Sequence, residues 1–211
     1  MRMGPEDIKG MAGFFMDIRR ASNPPLHAEL LFYMVGLGLF EPDEFDRERL
    51  KEALKVERGH RKSREVATLH YYMHQLGFGE KITKDDVAIM KSPEPFYAHP
   101  SSADIAKRYH YMRELGVKFN IPPEDKERMF GSLITSREEN HGHLLLPLHY
   151  YMRKLGYQTE IIEDDMKVME NAFEGERSGK KIFTPEMHYI LYQMFPLQHG
   201  DASEMPPLKK L

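Results

Sequence analysis

The sequence contains no cysteine and no tryptophan among its 211 residues. Without cysteine, disulfide bonds, thiolate metal sites and a cysteine nucleophile are excluded. No stretch approaches the roughly 18 consecutive apolar residues of a membrane-spanning helix, and the first residues lack the apolar run of a signal peptide. The net charge of −3 disfavours a dedicated nucleic-acid-binding protein. These features favour a cytoplasmic protein without membrane association.

One short motif recurs through the chain at nearly constant spacing. It begins with Tyr-Met, ends with Leu-Gly, and has its tyrosines at Tyr33, Tyr72, Tyr111 and Tyr151. These tyrosines are 39, 39 and 40 residues apart, and Ile190 takes the same position 39 residues later. A period between about 20 and 50 residues is typical of repeat proteins, in which one small unit is stacked several times.

Each repeat contains two predicted helices of different character. The motif lies on helix A, which is apolar on two sides, as expected for a buried helix. A glycine follows helix A where a left-handed residue ends a helix: Gly38, Gly77, Gly116 and Gly156. Helix B is apolar on one side only and carries an aspartate in its first turn, where the carboxylate can cap the helix and favourably meets its dipole. These aspartates are Asp7, Asp46, Asp86, Asp125 and Asp165.

The order of the predicted helices defines the fold. The chain begins with a B helix and ends with an A helix, so it contains five B–A pairs. We predict an all-α protein, a right-handed αα superhelix in which five pairs with a period of about 39–40 residues form an open arc with helices A inside. A single domain spans residues 1–197, and residues 198–211 form a flexible C-terminal tail. The B-to-A connections, among them residues 93–100, are longer than the A-to-B turns, and long loops on one rim are typical places for binding.

A second aromatic position lies one residue before each motif tyrosine. It is occupied by Phe32, Tyr71, His110, Tyr150 and Tyr189. Two interpretations remain open: these rings are packed core, or they line a groove that binds an apolar ligand or a partner helix. A nearby position carries His74, Arg113 and Arg153, whose charge suits the rim of such a groove. The candidate binding residues are therefore Tyr71, His74, His110, Arg113, Tyr150 and Arg153.

Histidines and basic residues suggest two other kinds of site. His70 and His74 are four residues apart, a spacing that can hold a metal on one helix face, but no third and fourth ligand accompany them. His70, His149 and His188 share one repeat position, which favours a structural role. Residues 55–64 are rich in lysine and arginine and could contact phosphate, although a solvated charged loop is the commoner explanation. We predict no catalytic residue, no metal site and no cofactor.

Residues Asp104 to Ser132, which include Tyr109-His110-Tyr111-Met112-Arg113-Glu114-Leu115-Gly116, resemble the helical repeat of protein prenyltransferase beta subunits and terpene cyclases. That repeat has a tyrosine-rich helix ending in Leu-Gly, followed by a second helix with an acidic cap. The resemblance implies an isoprenoid ligand. However, the zinc-binding cysteine and the tryptophans of those families are absent, and residues 162–165 read Ile-Glu-Asp-Asp instead of Asp-x-Asp-Asp. The repeat length is also similar to that of HEAT-type repeats, which are typically scaffolds.

The sequence favours a non-enzymatic helical-repeat scaffold. It predicts a protein or peptide partner, bound on the concave face or on the rim of long loops. The alternative is a prenyltransferase-like or terpene-cyclase-like enzyme, or a carrier, for an apolar isoprenoid ligand held among the aromatic rings. Contact of residues 55–64 with nucleic acid is a third and weaker hypothesis.

Overall fold

The computed structural model describes residues 5–20, 23–92, 101–179 and 184–194. Ten α-helices and no strand occupy these residues, so the predicted all-α class is confirmed. The helices are α1 (Pro5–Arg20), α2 (Pro24–Gly36), α3 (Glu44–Gly59), α4 (Ser63–Gln75), α5 (Lys84–Lys91), α6 (Ser102–Glu114), α7 (Pro123–Glu138), α8 (Gly142–Lys154), α9 (Glu163–Gly179) and α10 (Thr184–Met194). The predicted tail at residues 198–211 and the connection at residues 93–100 lie outside the described residues.

Four of the even-numbered helices end at the predicted glycines. Gly38, Gly77, Gly116 and Gly156 have φ angles of 69°, 75°, 71° and 90°. Glycine adopts this left-handed conformation without a steric penalty because it has no Cβ atom. The N–H group of the next residue then bonds back into the helix; that of Phe78, for example, donates to the carbonyl of Met73 at 2.8 Å. Each Leu-Gly of the motif is therefore a helix stop.

Aspartates of the first turn cap two of the odd-numbered helices, α3 and α5. No side chain caps the start of α7, so the cap expected from Asp125 is wrong. In α5, the backbone N–H of Asp86 donates to Thr83 Oγ1 at 3.1 Å, and that of Thr83 donates to Asp86 Oδ2 at 2.8 Å. Asp43 and Asp46 form the same reciprocal pair at the start of α3. The capping interpretation of these acidic residues is confirmed at both helices.

The even-numbered helices form an inner layer that closes on itself. They contact one another in chain order, from α2 through α4, α6 and α8 to α10, and α10 also contacts α2. The odd-numbered helices pack against the even-numbered ones as a second layer. Buried side chains from both layers join in one hydrophobic core. The inner helices thus surround a central axis, and their aromatic residues fill the space around it.

The predicted open arc is wrong, because the first and last inner helices touch. The ring centroids of Phe32 and Tyr33 in α2 both lie 5.3 Å from that of Tyr189 in α10. In an open arc these rings would face water, and closure removes their apolar surface from solvent. The right-handed path of the chain stays a prediction.

Three clusters of arginine, aspartate and histidine join successive helix pairs. The arginine comes from the end of one odd-numbered helix, the aspartate from the first turn of the next, and the histidine from the even-numbered helix between them. In one cluster, Arg58 Nε donates to Asp86 Oδ1 at 2.6 Å, and His70 Nε2 lies 3.3 Å from Asp86 Oδ2. The three clusters are Arg19–Asp46–His27, Arg58–Asp86–His70 and Arg137–Asp165–His149.

The electrostatics of these clusters keep the aspartates ionised. Burial alone would raise the pKa of Asp46, but hydrogen bonds from His27 and Arg19 outweigh it and lower this pKa to about 2. The pKa of Asp86 is likewise lowered to about 2, against the effect of burial, by hydrogen bonds from Arg58 and Thr83. The structural interpretation of His70 and His149 is confirmed, and the side chain of His188 lies outside the described residues.

Candidate binding site inside the helix ring

Side chains of the inner helices fill the ring in three successive layers. The aromatic layer consists of Phe32, Tyr71, His110, Tyr150 and Tyr189. The tyrosine layer consists of Tyr33, Tyr72, Tyr111 and Tyr151. The charged layer consists of Glu29, Lys107 and Glu186. Each charged residue precedes a motif position by four residues, one helical turn, so the charged layer lies toward the ends where the inner helices begin.

The hydroxyl groups of the tyrosine layer meet near the axis of the ring. Tyr33 Oη lies 3.1 Å from Tyr72 Oη and 3.4 Å from Tyr151 Oη, and Tyr72 Oη lies 2.5 Å from Tyr111 Oη. Burial raises the pKa of all four phenols well above its usual value. The four hydroxyls therefore remain neutral and act as both donors and acceptors.

The charged layer extends this network by two carboxylates and one ammonium group. Lys107 Nζ contacts Glu29 Oε1 and lies 3.0 Å from Glu186 Oε1. Tyr33 donates to Glu29 at 3.1 Å, and Tyr151 donates to Glu186 at 3.2 Å. Burial raises the pKa of Glu29. Burial opposes the charge on Lys107, but Glu186 and Glu29 outweigh it and hold the Lys107 pKa well above its usual range.

A cavity of about 450 Å³ lies on the charged layer, and we call it the entrance cavity. Its floor includes Glu29, Lys107 and Tyr111, and its walls come from the first turns of α2, α4 and α6. Ion pairs stand at its rim: Lys62 Nζ lies 3.1 Å from Glu57 Oε2, and Arg64 Nη1 lies 3.4 Å from Asp104 Oδ2. Side chains of both signs thus face one opening, directly above a buried polar network.

The predicted binding residues lie elsewhere in the ring. Tyr71, His110 and Tyr150 belong to the aromatic layer, where the Tyr71 ring stacks on Tyr111 at 4.2 Å and lies 5.6 Å from His110. His110 and Tyr150 are buried, and Tyr71 is half-buried. The rings pack on one another, and none of them lines the entrance cavity.

The charged members of the predicted set are exposed near the ends where the inner helices stop. Arg113 Nη1 donates to the carbonyl of Lys154 at 2.9 Å, and Arg153 Nη2 donates to that of Thr159 at 2.6 Å. His74 is exposed. The structure therefore brings Tyr71 and His110 together, but it separates the charged residues from the entrance cavity by the length of the inner helices.

Glu29, Lys107 and Glu186 were not among the residues predicted from sequence. A signal for them does exist, because they are 78 and 79 residues apart and thus occupy one register in every second repeat. The repeats between them carry Thr68 and Pro147 at that register, which interrupts the pattern. Only the closed ring shows that these three residues are neighbours.

The comparisons with known proteins do not assign this site. A scan against protein families finds no match, and neither curated proteins nor solved structures match the chain. Within the part of the chain that the structure describes, no three histidine or acidic side chains are grouped to hold a metal ion. No helix in the same part is long and apolar enough to cross a membrane.

Proposed function

We propose that the protein is a non-enzymatic interaction module, a closed αα repeat that binds a protein or peptide segment in its entrance cavity. The observation that carries this proposal is the position of the cavity. It lies where the inner helices begin, directly above the buried side chains of Glu29 and Lys107. The expectation that the B-to-A connections are the longer ones is wrong for the described connections, because residues 60–62 join α3 to α4, whereas residues 37–43 join α2 to α3. The cavity thus lies at the end of the ring where these connections are short. Its volume falls within the roughly 300–1,000 Å³ typical of ligand pockets.

The lining of the entrance cavity favours a polar and charged segment of the partner. Four lining residues are acidic and four are basic: Glu29, Glu57, Glu65 and Asp104, with Lys62, Arg64, Lys107 and Arg108. A charged side chain of the partner can replace one member of an ion pair at the rim with little change in free energy, since partly exposed pairs contribute only about 0–1 kcal/mol. Lys107 and Glu29, whose side chains are each 15% exposed, would then recognise the group that reaches the floor.

The isoprenoid-ligand hypothesis and the nucleic-acid hypothesis have less support than the binding of a protein or peptide. An isoprenoid ligand needs space among the aromatic rings, and these rings contact one another at 5.3–6.3 Å between centroids. Nucleic acid needs free cations in residues 55–64, but Arg58 is paired with Asp86 and Arg61 lies 3.4 Å from Asp85. The cytoplasmic location stays a prediction.

The proposal is tested by selecting displayed random peptides on the intact protein and measuring the affinity of the enriched peptides. We expect Lys62→Glu, at the rim of the entrance cavity, to weaken their binding about tenfold, because it reverses one charge of the recognition surface. Lys154→Glu makes the same change at the opposite end of the ring and should leave binding unaltered. Failure to enrich any peptide, or equal loss in both variants, would contradict the proposal.

A further inference from the structure

The third helix pair departs from the repeat at its outer helix. α5 has 8 residues, whereas α1, α3 and α7 have 16 and α9 has 17. Ser92 ends α5 in an extended conformation, with φ −66° and ψ 145°, and proline follows it in the sequence. Proline disfavours the helical conformation of the residue before it and cannot continue the helical hydrogen bonds. The helix α5 is therefore 8 residues shorter than α3.

The shortened helix changes the cluster that joins this pair to the next. No arginine from the described part of α5 reaches Asp125, the aspartate of α7. Instead, Tyr109 Oη of α6 donates to Asp125 Oδ2 at 2.5 Å, and Arg108 Nη2 lies 3.8 Å away. Tyr109 thus takes the place that histidine has in the other clusters. Arg108, from the inner helix α6, takes the place of the arginine that an outer helix supplies there. Burial, together with the bond to Asp125, raises the pKa of Tyr109 to about 12, so its hydroxyl stays protonated.

A second cavity, of about 380 Å³, lies at the place of these departures, and we call it the α5 cavity. Three basic residues line it: Lys91, Arg108 and Lys118. Its apolar lining includes Met112, Tyr109 and Phe119, and the last two rings stack with centroids 5.3 Å apart. None of the described residues that line this cavity is acidic. Lys91 and Lys118 are exposed, and no carboxylate of the described residues lies within 4.0 Å of either ammonium group.

We propose that the α5 cavity binds a small organic anion with an aromatic or apolar body. Lys91 and Lys118, which pair with no carboxylate of the described residues, are available to a carboxylate, sulfonate or phosphate, to which they bind as point charges. The half-buried ring of Phe119, backed by the buried ring of Tyr109, offers an apolar surface to the body of the ligand. The volume matches that of small-molecule sites. This site is separate from the proposed peptide site, although the buried side chain of Arg108 contributes to both cavities.

Two fluorescent probes that differ in charge test this proposal on the full chain. 8-Anilinonaphthalene-1-sulfonate carries an aromatic body and one negative charge, and N-phenyl-1-naphthylamine has a similar body without the charge. We expect saturable binding of the sulfonate to wild type and weaker binding of the neutral probe. Lys118→Glu should weaken sulfonate binding about tenfold, because an attractive charge becomes a repulsive one. The neutral probe should respond little to the same change.

The matched control is Lys84→Glu, which makes the same change at the exposed start of α5 and should bind both probes as wild type does. Lys62→Glu, at the entrance cavity, should also leave sulfonate binding unaltered, which separates this test from that of the peptide site. The proposal is overturned if the sulfonate does not saturate one site, if its affinity is equal in wild type and Lys118→Glu, or if Lys62→Glu weakens it equally.

Discussion

The two halves of the ring interior are built from adjacent turns of the same five helices, and yet they differ in chemistry. Where the helices begin, Glu29, Lys107 and Glu186 join the tyrosine hydroxyls in a buried polar network below a cavity. Where the helices end, the aromatic layer packs ring against ring. The comparison shows that one set of helices can combine an aromatic half packed ring against ring with a polar half that lies below a cavity.

The polar half stabilises the ring no more than apolar side chains of similar volume would. Buried ions lose their hydration, and apolar side chains of similar volume are often equally stable or more so. A buried network contributes to stability only when all its members are bonded. Aromatic pairs carry no such requirement and contribute about 0.5–1.5 kcal/mol beyond their buried area. The presence of a charged layer beside a cavity therefore supports a role in binding.

The largest effect is expected when the charged layer loses its cation. Lys107→Met leaves two buried carboxylates without a counter-ion, and breaking a buried ion pair in this way costs about 3–5 kcal/mol. We expect the free energy of unfolding, measured with urea at pH 7, to fall by that amount. The control Lys55→Met removes an exposed lysine 3.5 Å from Glu52 and should cost no more than about 0.5 kcal/mol.

A rescue variant separates charge from packing at the same place. Glu29→Gln and Glu186→Gln, added to Lys107→Met, remove all three charges of the layer together. We expect this triple variant to recover most of the lost stability, since a neutral network leaves no uncompensated ion. A single Lys107→Met variant as stable as wild type would contradict the electrostatic account of the polar half.

We expect a loss of stability of intermediate size when the pH falls, and it arises from His110 in the aromatic half. Burial, followed by the nearby charges of Lys154 and Arg113, lowers the pKa of His110 to about 4, whereas an unfolded histidine titrates near pH 6.5. Below pH 6.5, His110 binds a proton in the unfolded chain, whereas in the folded chain it stays neutral until the pH approaches 4. The stability contribution is therefore complete above pH 6.5 and is lost as the pH falls toward 4, by about 2 kcal/mol at pH 5.

His110→Phe tests this pH dependence, because phenylalanine keeps a ring in the layer and does not titrate. The free energies of unfolding of wild type and variant should be compared at pH 7.5 and pH 5. We expect the difference between the two proteins to shift in favour of the variant by about 2 kcal/mol at the lower pH. His149, whose pKa is also about 4, is present in both proteins and cancels from the difference. A difference that does not change with pH would refute a neutral, buried His110.

The smallest loss of stability is expected when a single tyrosine hydroxyl is removed, and two neighbouring tyrosines, one from each half, provide the comparison. Tyr72→Phe removes a hydroxyl that lies 3.1 Å from Tyr33 Oη and 2.5 Å from Tyr111 Oη, and we expect a loss of about 1 kcal/mol. Tyr71→Phe removes the hydroxyl of a half-buried residue of the aromatic layer and should cost less than about 0.5 kcal/mol. Equal losses in thermal or urea unfolding would show that the hydroxyl network makes no special contribution.

Much of the local structure could be predicted from particular residues. Gly77 predicted the end of α4, and Asp86 predicted the first turn of α5, because both signals act through backbone groups within a few residues. The candidate site could not be predicted in the same way. Tyr71 and Arg113 were predicted on the expectation of an open concave face. Ring closure packs Tyr71 inside, and Arg113 donates a hydrogen bond to the last residue of α8.

The sequence by itself determined the helices, their boundaries and their two-faced character, since these follow from interactions over three or four residues along the chain. Only the tertiary structure decided that α10 meets α2, because small rotations between successive pairs add up over the whole array. The same closure brings Lys107 to Glu29 and Glu186, 78 and 79 residues away. Contacts over such separations depend on the path of the entire chain, and no local pattern encodes them.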